Sequence, residues 1–374
     1  MKRILALCLT LSLLTIPVSA APNVDAPAAL LMEKGSGTVL HETNAHDRRP
    51  PASVTKVMTM LLIMEALSSG QITPDTVVTA SATAAGMGGS QVYLAQGEQM
   101  TVHDLLRSIA VASANDACVA MAEHLCGSEE SFVAQMNTRA TQLGMTNTHF
   151  SNCTGLPADD HYSTAHDIAL MSRQLILNHP EIRTYTTIWM DSIRDGAFGL
   201  SNTNRLIRFY PGATGLKTGF TDSALYCLSG TAERDGMELI AVVLGAASSD
   251  ARFETAKSLL DYGFATFALT DVYPDAPLPP IPVLLGQADH VQPQLERSCR
   301  LLLPRSSTGS VTTELTLARD VQAPVELGQQ LGTLQVFVDG DLRDTVPIVA
   351  STAVNRLSFP SIFTHLLRRL FMVN

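Results

Sequence analysis

The sequence predicts an α+β fold: an antiparallel sheet flanked by helices, followed by a small β-rich C-terminal domain. Three observations predict it. Strand-like segments stand near both ends of the first 272 residues, the chain between them reads as helix, and beyond a proline-rich stretch strand-like segments dominate. Strands far apart in sequence must then pair with one another while helices cover the sheet.

Residues 1–20 read as an export leader. Lys2 and Arg3 precede an apolar run from Ile4 to Val18, and Val18-Ser19-Ala20 forms a small-residue cleavage site. The run is short and interrupted by Pro17, which disfavours a membrane span. Leu7 precedes Cys8 where a lipoprotein cysteine needs a small residue. The expected mature chain starts near Ala21 and works outside the cytoplasm.

Ala28 to Glu33 and Thr38 to Glu42 predict a hairpin around Lys34-Gly35-Ser36-Gly37. Val57 to Leu67 is an apolar run expected as a buried helix ending near Gly70. Val102 to Leu125 reads as two helices broken at Ser113-Ala114-Asn115, and Phe132 to Leu143 as another, with apolar residues at helical spacing. A further helix is expected from Thr164 to Leu177. Leu225 to Ala232 and Leu239 to Gly245 are strand-like about a turn at Arg234-Asp235-Gly236, and Ala251 to Leu269 returns to helix. These segments make a domain of residues 21–272.

Prolines crowd Tyr273 to Pro282, marking a linker into a small β domain of residues 273–353. There Leu331 to Val338, Asp339-Gly340 and Leu342 to Val349 read as strand, turn, strand. In residues 354–374, Ile362 to Phe371 sets apolar pairs four apart against His365, Arg368 and Arg369. That division suits a helix lying in a membrane interface, which export and the Arg368-Arg369 pair favour over a helix packed on the protein's own core.

The formal charge is 25 − 35 = −10, and removing Lys2 and Arg3 makes it 23 − 35 = −12. An acidic exported chain excludes nucleic acid as the expected partner. Cys118, Cys126, Cys153, Cys227 and Cys299 are odd in number and show no C-x-x-C spacing, so buried thiols are expected rather than a zinc site or disulfide scaffold. No metal and no cofactor is expected.

Three runs carry the chemistry: Ser53-Val54-Thr55-Lys56, Ser113-Ala114-Asn115 and Lys217-Thr218-Gly219. Ser53 and Lys56, three apart at a helix start, fall on one helical face. A neutral amine there can take the hydroxyl proton, because serine alone is a weak nucleophile. Burial, and repulsion from a second cation such as Lys217, would lower the Lys56 pKa. Ser113 can relay a proton toward a leaving amine, and Asn115 can hydrogen-bond a substrate amide. On a strand, Gly219 leaves room for substrate backbone, while Lys217 and Thr218 can bind a carboxylate or tune the serine–lysine pair. The amides of Ser53 and Phe220 are the natural oxyanion donors. S-x-x-K or S-x-N alone arises about once per chain by chance; the order of all three, each on a fitting element, carries the inference.

The segment Arg49-Pro50-Pro51-Ala52-Ser53-Val54-Thr55-Lys56-Val57-Met58-Thr59 resembles the nucleophile region of low-molecular-mass penicillin-binding proteins, the serine-type D-alanyl-D-alanine carboxypeptidases. So do Ser113-Ala114-Asn115-Asp116-Ala117, Thr154-Gly155-Leu156, Gly215 to Thr221 and Leu259 to Phe264. Ala323 to Gln329 is similar to that family's small β domain, and the terminal amphipathic helix to its membrane anchor. The resemblance implies Ser53 as acyl-enzyme nucleophile, Lys56 as proton acceptor, Ser113 as proton relay and Lys217 as substrate-binding cation. It implies a peptidoglycan stem pentapeptide ending in D-Ala-D-Ala as substrate, β-lactams as covalent inhibitors, and a place on the extracytoplasmic membrane face. Arg252 is a further candidate for the terminal carboxylate, against a solvated arginine. Phe220 stands where some relatives have histidine, and Cys153 where many have proline.

Two other classes share these motifs. A class A β-lactamase would resemble its family in an E-x-x-L-N loop, and none occurs between Ser113 and Lys217, where Glu181 is followed by Ile182-Arg183-Thr184. A binding module that senses wall peptides without cutting them would be expected to have lost one of Ser53, Lys56, Ser113 or Lys217, and all are intact.

Overall fold

Five strands join the two ends of the first domain into one antiparallel sheet: β1 (Ala28–Glu33), β2 (Val39–Thr43), β3 (Ala213–Thr221), β4 (Leu225–Arg234) and β5 (Met237–Ala246). Their spatial order is β2-β1-β5-β4-β3. β1 therefore crosses more than 200 residues of sequence to pair with β5, Ala28 opposite Leu244 and Glu33 opposite Leu239. The computed structural model describes residues 21–306, 311–360 and 363. By spatial contact the chain divides into two units, Met1–Thr266 and Phe267–Asn374.

Every position of β1 and β5 is buried, so both faces of the sheet are covered. One face meets the helix Ser249–Thr266, where Leu31 and Leu239 reach Gly263. From the other face Leu30, Met32, Ile240 and Val242 join the helical core. The central helix of that core is α1 (Lys56–Ser68), buried from Lys56 through Met64 without a break. A helix apolar on all sides needs such a position, and it takes its one lysine into the interior with it.

The other helices longer than four residues among the described residues are α2 (Val102–Ala112), α3 (Asn115–Cys126), α4 (Glu129–Gln142), α5 (Ala165–Asn178) and α6 (Ser249–Thr266). Side-chain caps fix three starts: Thr101 accepts from the Asp104 amide, Ser128 from Ser131 and Thr164 from Asp167. The expected break between α2 and α3 is made by Ser113, left-handed at φ 63°, and by extended Ala114. Short strand pairs at Val77–Thr79 with Gln99–Thr101 and Met190–Ile193 with Phe198–Ser201 carry no legible sequence period.

The helix expected to reach Leu269 ends at Thr266. Phe267–Val272 (β6) is a strand paired with Cys299–Pro304 (β7), because Thr and Phe favour extended backbone once a distant partner strand is available. In the second unit Val311–Leu317 (β8), Gln330–Val338 (β9) and Asp341–Ala350 (β10) form a sheet with Pro293–Leu295, in order Pro293–Leu295, β10, β9, β8. Asp339 and Gly340 turn the β9–β10 hairpin with φ 55° and 87°, the pair of positive values a tight two-residue turn needs. Leu334, Val336, Val346 and Ile348 fill its core.

The leader of residues 1–20 lies outside the described residues. So does the amphipathic segment from Ile362 onward, apart from exposed Phe363. No helix among the described residues is long and apolar enough to cross a membrane. The five cysteines from Cys118 to Cys299 are free thiols, four buried and Cys126 partly exposed.

Candidate active site

Ser53 sits in a single turn of 3-10 helix, Ala52–Thr55, that leads into α1. Lys56, one turn on, is fully buried, and its Nζ lies 3.0 Å from Ser53 Oγ. The same nitrogen is 2.7 Å from Asn115 Oδ1 and 2.8 Å from the Thr154 carbonyl oxygen. Asn115 Nδ2 donates to Gly88 O at 2.7 Å, which fixes the amide so that its oxygen faces Lys56. These contacts determine what a neutral amine would do. A carbonyl oxygen only accepts, so the two N–H groups go to Asn115 and Thr154, and the lone pair faces the Ser53 hydroxyl.

Burial lowers the Lys56 pKa toward that neutral form, against smaller opposing influences from Cys118, Cys153 and Asp116. Lys217, equally buried, is pushed well below its usual value by burial and then by the charge of Lys56. Its Nζ has one acceptor, Thr218 O at 3.0 Å, where Lys56 has three. Both amines are thus driven toward the neutral form, Lys217 the further of the two.

Two loops wall the nucleophile. Asp116 accepts from the amides of Val92, Leu94 and Ala117, and the Asn115 amide donates to Ser90 O, fastening residues 88–94 to the start of α3. On the opposite side Asn152 Oδ1 accepts from the amides of Thr154 and Gly155, shaping the bend that offers the Thr154 carbonyl. Gly155 has φ +85°, and a Cβ there would stand 1.9 Å from Ala52 O. Only glycine lets this loop touch the turn that carries Ser53. His161 completes the bracing: its Nδ1 accepts from the Ser151 amide at 3.0 Å, so Nε2–H donates to Thr55 Oγ1 at 2.7 Å.

The third side is β3. Among the described residues it pairs with β4 alone, so its other edge is open to an extended peptide. A Cβ on Gly219 would come within 2.9 Å of both Pro51 O and Ser53 N. The strand thus abuts the nucleophile's own amide, which lacks an intrahelical acceptor in the first turn, and Phe220 follows directly.

A serine beside a buried amine and an open strand edge is a peptide-acylating arrangement, and the comparisons with known proteins agree with it. Residues 16–248 match the family model described as D-alanyl-D-alanine carboxypeptidase. The chain belongs to that family. Residues 272–356 match a second model, penicillin-binding protein 5, C-terminal domain. D-alanyl-D-alanine carboxypeptidase DacF of Bacillus subtilis is 40% identical over 96% of each chain. Among solved structures, penicillin binding protein 5 from Haemophilus influenzae is 30% identical with a TM-score of 0.74, covering 90% of this chain and 99% of its own. Penicillin-Binding Protein D2 from Listeria monocytogenes, in its ampicillin-bound form, is 35% identical with a TM-score of 0.60, covering 65% of this chain and 100% of that one.

Within this family member, Ser53, Lys56, Asn115 and the β3 edge come together around one point, with Ser113 buried at the left-handed corner beside Asn115. Several expected site residues have further partners. Asn115, expected to meet a substrate amide, also gives its oxygen to Lys56 and one N–H to Gly88, and so positions the base. Gly219, expected to admit substrate backbone, lies against the Pro51–Ser53 turn. Thr218 Oγ1 is hydrogen-bonded to Thr203 Oγ1 at 2.6 Å. Arg252 is not solvated, and its Nε has no hydrogen-bond partner among the described residues. It is buried, and its Nη1 donates to Gly219 O and Cys227 O, tying β3 to β4. Burial pushes its pKa down to about 10. Phe220 is half exposed, its ring 4.5 Å from that of Tyr226. Thr154, Asn152 and His161 received no role from their residue types, because what they contribute is a main-chain carbonyl or the support of one.

Proposed function

We propose that this chain is a serine-type D-Ala-D-Ala carboxypeptidase that removes the terminal D-alanine from peptidoglycan pentapeptide stems through an acyl-enzyme on Ser53. The observation that carries the reading is the 3.0 Å contact of Lys56 Nζ with Ser53 Oγ, its two N–H directions taken by Asn115 and Thr154. The substrate lies as an added strand along β3 with its terminal carboxylate toward Lys217 and Thr218. That negative charge favours the charged form of Lys217, and the charge on Lys217 in turn favours a neutral Lys56.

Ser53 Oγ then attacks the carbonyl carbon of the penultimate D-alanine as its proton passes to Lys56. The amides of Ser53 and Phe220 hold the tetrahedral oxyanion; loss of one such donor typically costs about a hundred- to a thousandfold in rate. The leaving nitrogen takes a proton relayed by the Ser113 hydroxyl, the C–N bond breaks, and water later cleaves the ester to release the shortened peptide and regenerate Ser53. A β-lactam ring acylates the same serine.

The reading extends to location. The sequence pattern of residues 1–20 supports export, and the apolar and cationic faces of residues 362–371 support a hold on the extracytoplasmic membrane surface. Deleting residues 362–374 is expected to move the protein from the membrane to the soluble fraction with hydrolysis intact; unchanged fractionation would remove that part of the proposal.

The function is tested by D-alanine release from a pentapeptide ending in D-Ala-D-Ala, with Ser53→Ala inactive, and by mass spectrometry of the benzylpenicillin adduct. Full activity in Ser53→Ala would end the reading. Rapid multiple turnover of penicillin would favour a β-lactamase instead.

A further inference from the structure

A cavity of about 310 Å³ opens beside the nucleophile turn, lined among others by Ala52, Gly155, Asp159, His161, Thr221 and Ser223. The reacting groups do not fill it. We infer that this cavity receives the side chain of the stem residue immediately before the scissile D-Ala-D-Ala pair, and that Asp159 selects a side chain ending in an ammonium group. The inference rests on the function proposed above and names the part of the substrate that this function leaves open.

Strand direction places the residue. β3 runs from Lys217 through Phe220 to Thr221. A peptide added antiparallel, with its carboxylate at Lys217 and its reacting carbonyl at the Phe220 amide, must continue toward its N-terminus past Thr221. Thr221 and Ser223 form that side of the cavity, and Ala52 brings it up to the serine. With about 3.3 Å per extended residue, the residue before the acyl D-alanine is the one alongside.

Charge decides the ligand class. Among the described residues no cation forms an ion pair with Asp159. His161, the other titratable group in the wall, is held neutral, pushed down to about 4 by burial and then by His149. Its ring nitrogens are committed to Ser151 and Thr55. Thr221 Oγ1 and Ser223 Oγ, 3.3 Å apart, add hydroxyl oxygens that an ammonium can use. The wall thus presents one carboxylate and no opposing positive charge. A solvent-screened carboxylate–ammonium pair of this kind is worth roughly 1.5- to fivefold in affinity.

The test uses the whole purified protein and Nα-acetylated tripeptides X-D-Ala-D-Ala, with X either L-lysine or Nε-acetyl-L-lysine. The readout is the ratio of their kcat/KM values, which cancels any general effect of a variant on activity. The expected ratio is about 1.5 to 5 for the native protein, close to 1 for Asp159→Asn and below 1 for Asp159→Lys, with the change carried by KM. A native ratio of 1, or a ratio that Asp159→Asn leaves unchanged, would overturn the inference. D-alanine release from neither peptide would remove the proposed function and this inference with it.

Discussion

The Nζ of Lys56 lies 2.8 Å from the main-chain carbonyl oxygen of Thr154, in a loop almost one hundred residues away in sequence. With Asn115 Oδ1 on a second side, this contact leaves the amine one direction in which to accept a proton, and Ser53 occupies it. The serine is therefore activated by how the lysine is surrounded as much as by its nearness.

Asn115→Asp tests that arrangement. A carboxylate in place of the amide oxygen favours the ammonium form, so the Lys56 pKa rises and the amine is neutral only at higher pH. The rising limb of the pH profile for benzylpenicillin acylation is expected to move up by about one unit or more. A uniformly slower profile with its limb unmoved would count against the role given to Asn115.

Lys217 offers a stability prediction. It is fully buried with one acceptor, and its amine is driven toward neutrality by burial and by Lys56. Because its folded pKa is lowered, the unfolded chain binds more protons, and this residue's contribution to stability grows with pH toward the unfolded value. Lys217→Met, similar in length and without the amine, is expected to raise unfolding free energy at neutral pH by about 1–2 kcal/mol while impairing acylation. Urea titration measures the first and penicillin labelling the second; a destabilised variant would refute the argument.

Gly155→Ala is expected to do the opposite. Its Cβ would meet Ala52 O at 1.9 Å at a left-handed φ, so either the loop or the serine turn must move. Acylation should fall by about a hundredfold or more, since a shift of one ångström at a reacting group costs that much. Near-native acylation would show that the loop can retreat harmlessly.

His161 makes the site acid-sensitive. With a folded pKa near 4 against about 6.5 unfolded, the folded state binds fewer protons between those values. Its contribution is complete above pH 6.5 and is lost as pH falls toward 4, up to about 3 kcal/mol. Protonation also breaks the hydrogen bond from the Ser151 amide, because Nδ1 can then no longer accept. His161→Gln should flatten the thermal-stability slope between pH 6.5 and 4; an identical slope in the variant would assign the sensitivity elsewhere.

What could be read from the sequence follows a physical division. Ser53, Lys56 and Lys217 were legible because their chemistry demands particular side chains on particular elements, and the sheet was legible because strand-like runs stood at both ends of the domain. Thr154 was not, since every residue carries a carbonyl and only the bend held by Asn152 aims this one. Nor were the internal partners of Asn115 and Arg252, because each is set by tertiary register: Gly88 in one case, the carbonyls of Gly219 and Cys227 in the other. The strand at Phe267–Val272 was missed for the same reason, its partner lying some thirty residues ahead.

The open side of β3 carries a hazard of its own. Unpaired amides and carbonyls in a row invite any extended chain, another copy of this protein included. Here a lysine is turned inward at the head of that row and a glycine is pressed against the serine turn. A foreign strand would cover a buried amine that has a single acceptor, whereas a peptide that ends in a carboxylate supplies the counter-ion that the charged form of Lys217 lacks. The feature that welcomes the cognate tail is thus also a guard against indiscriminate self-association.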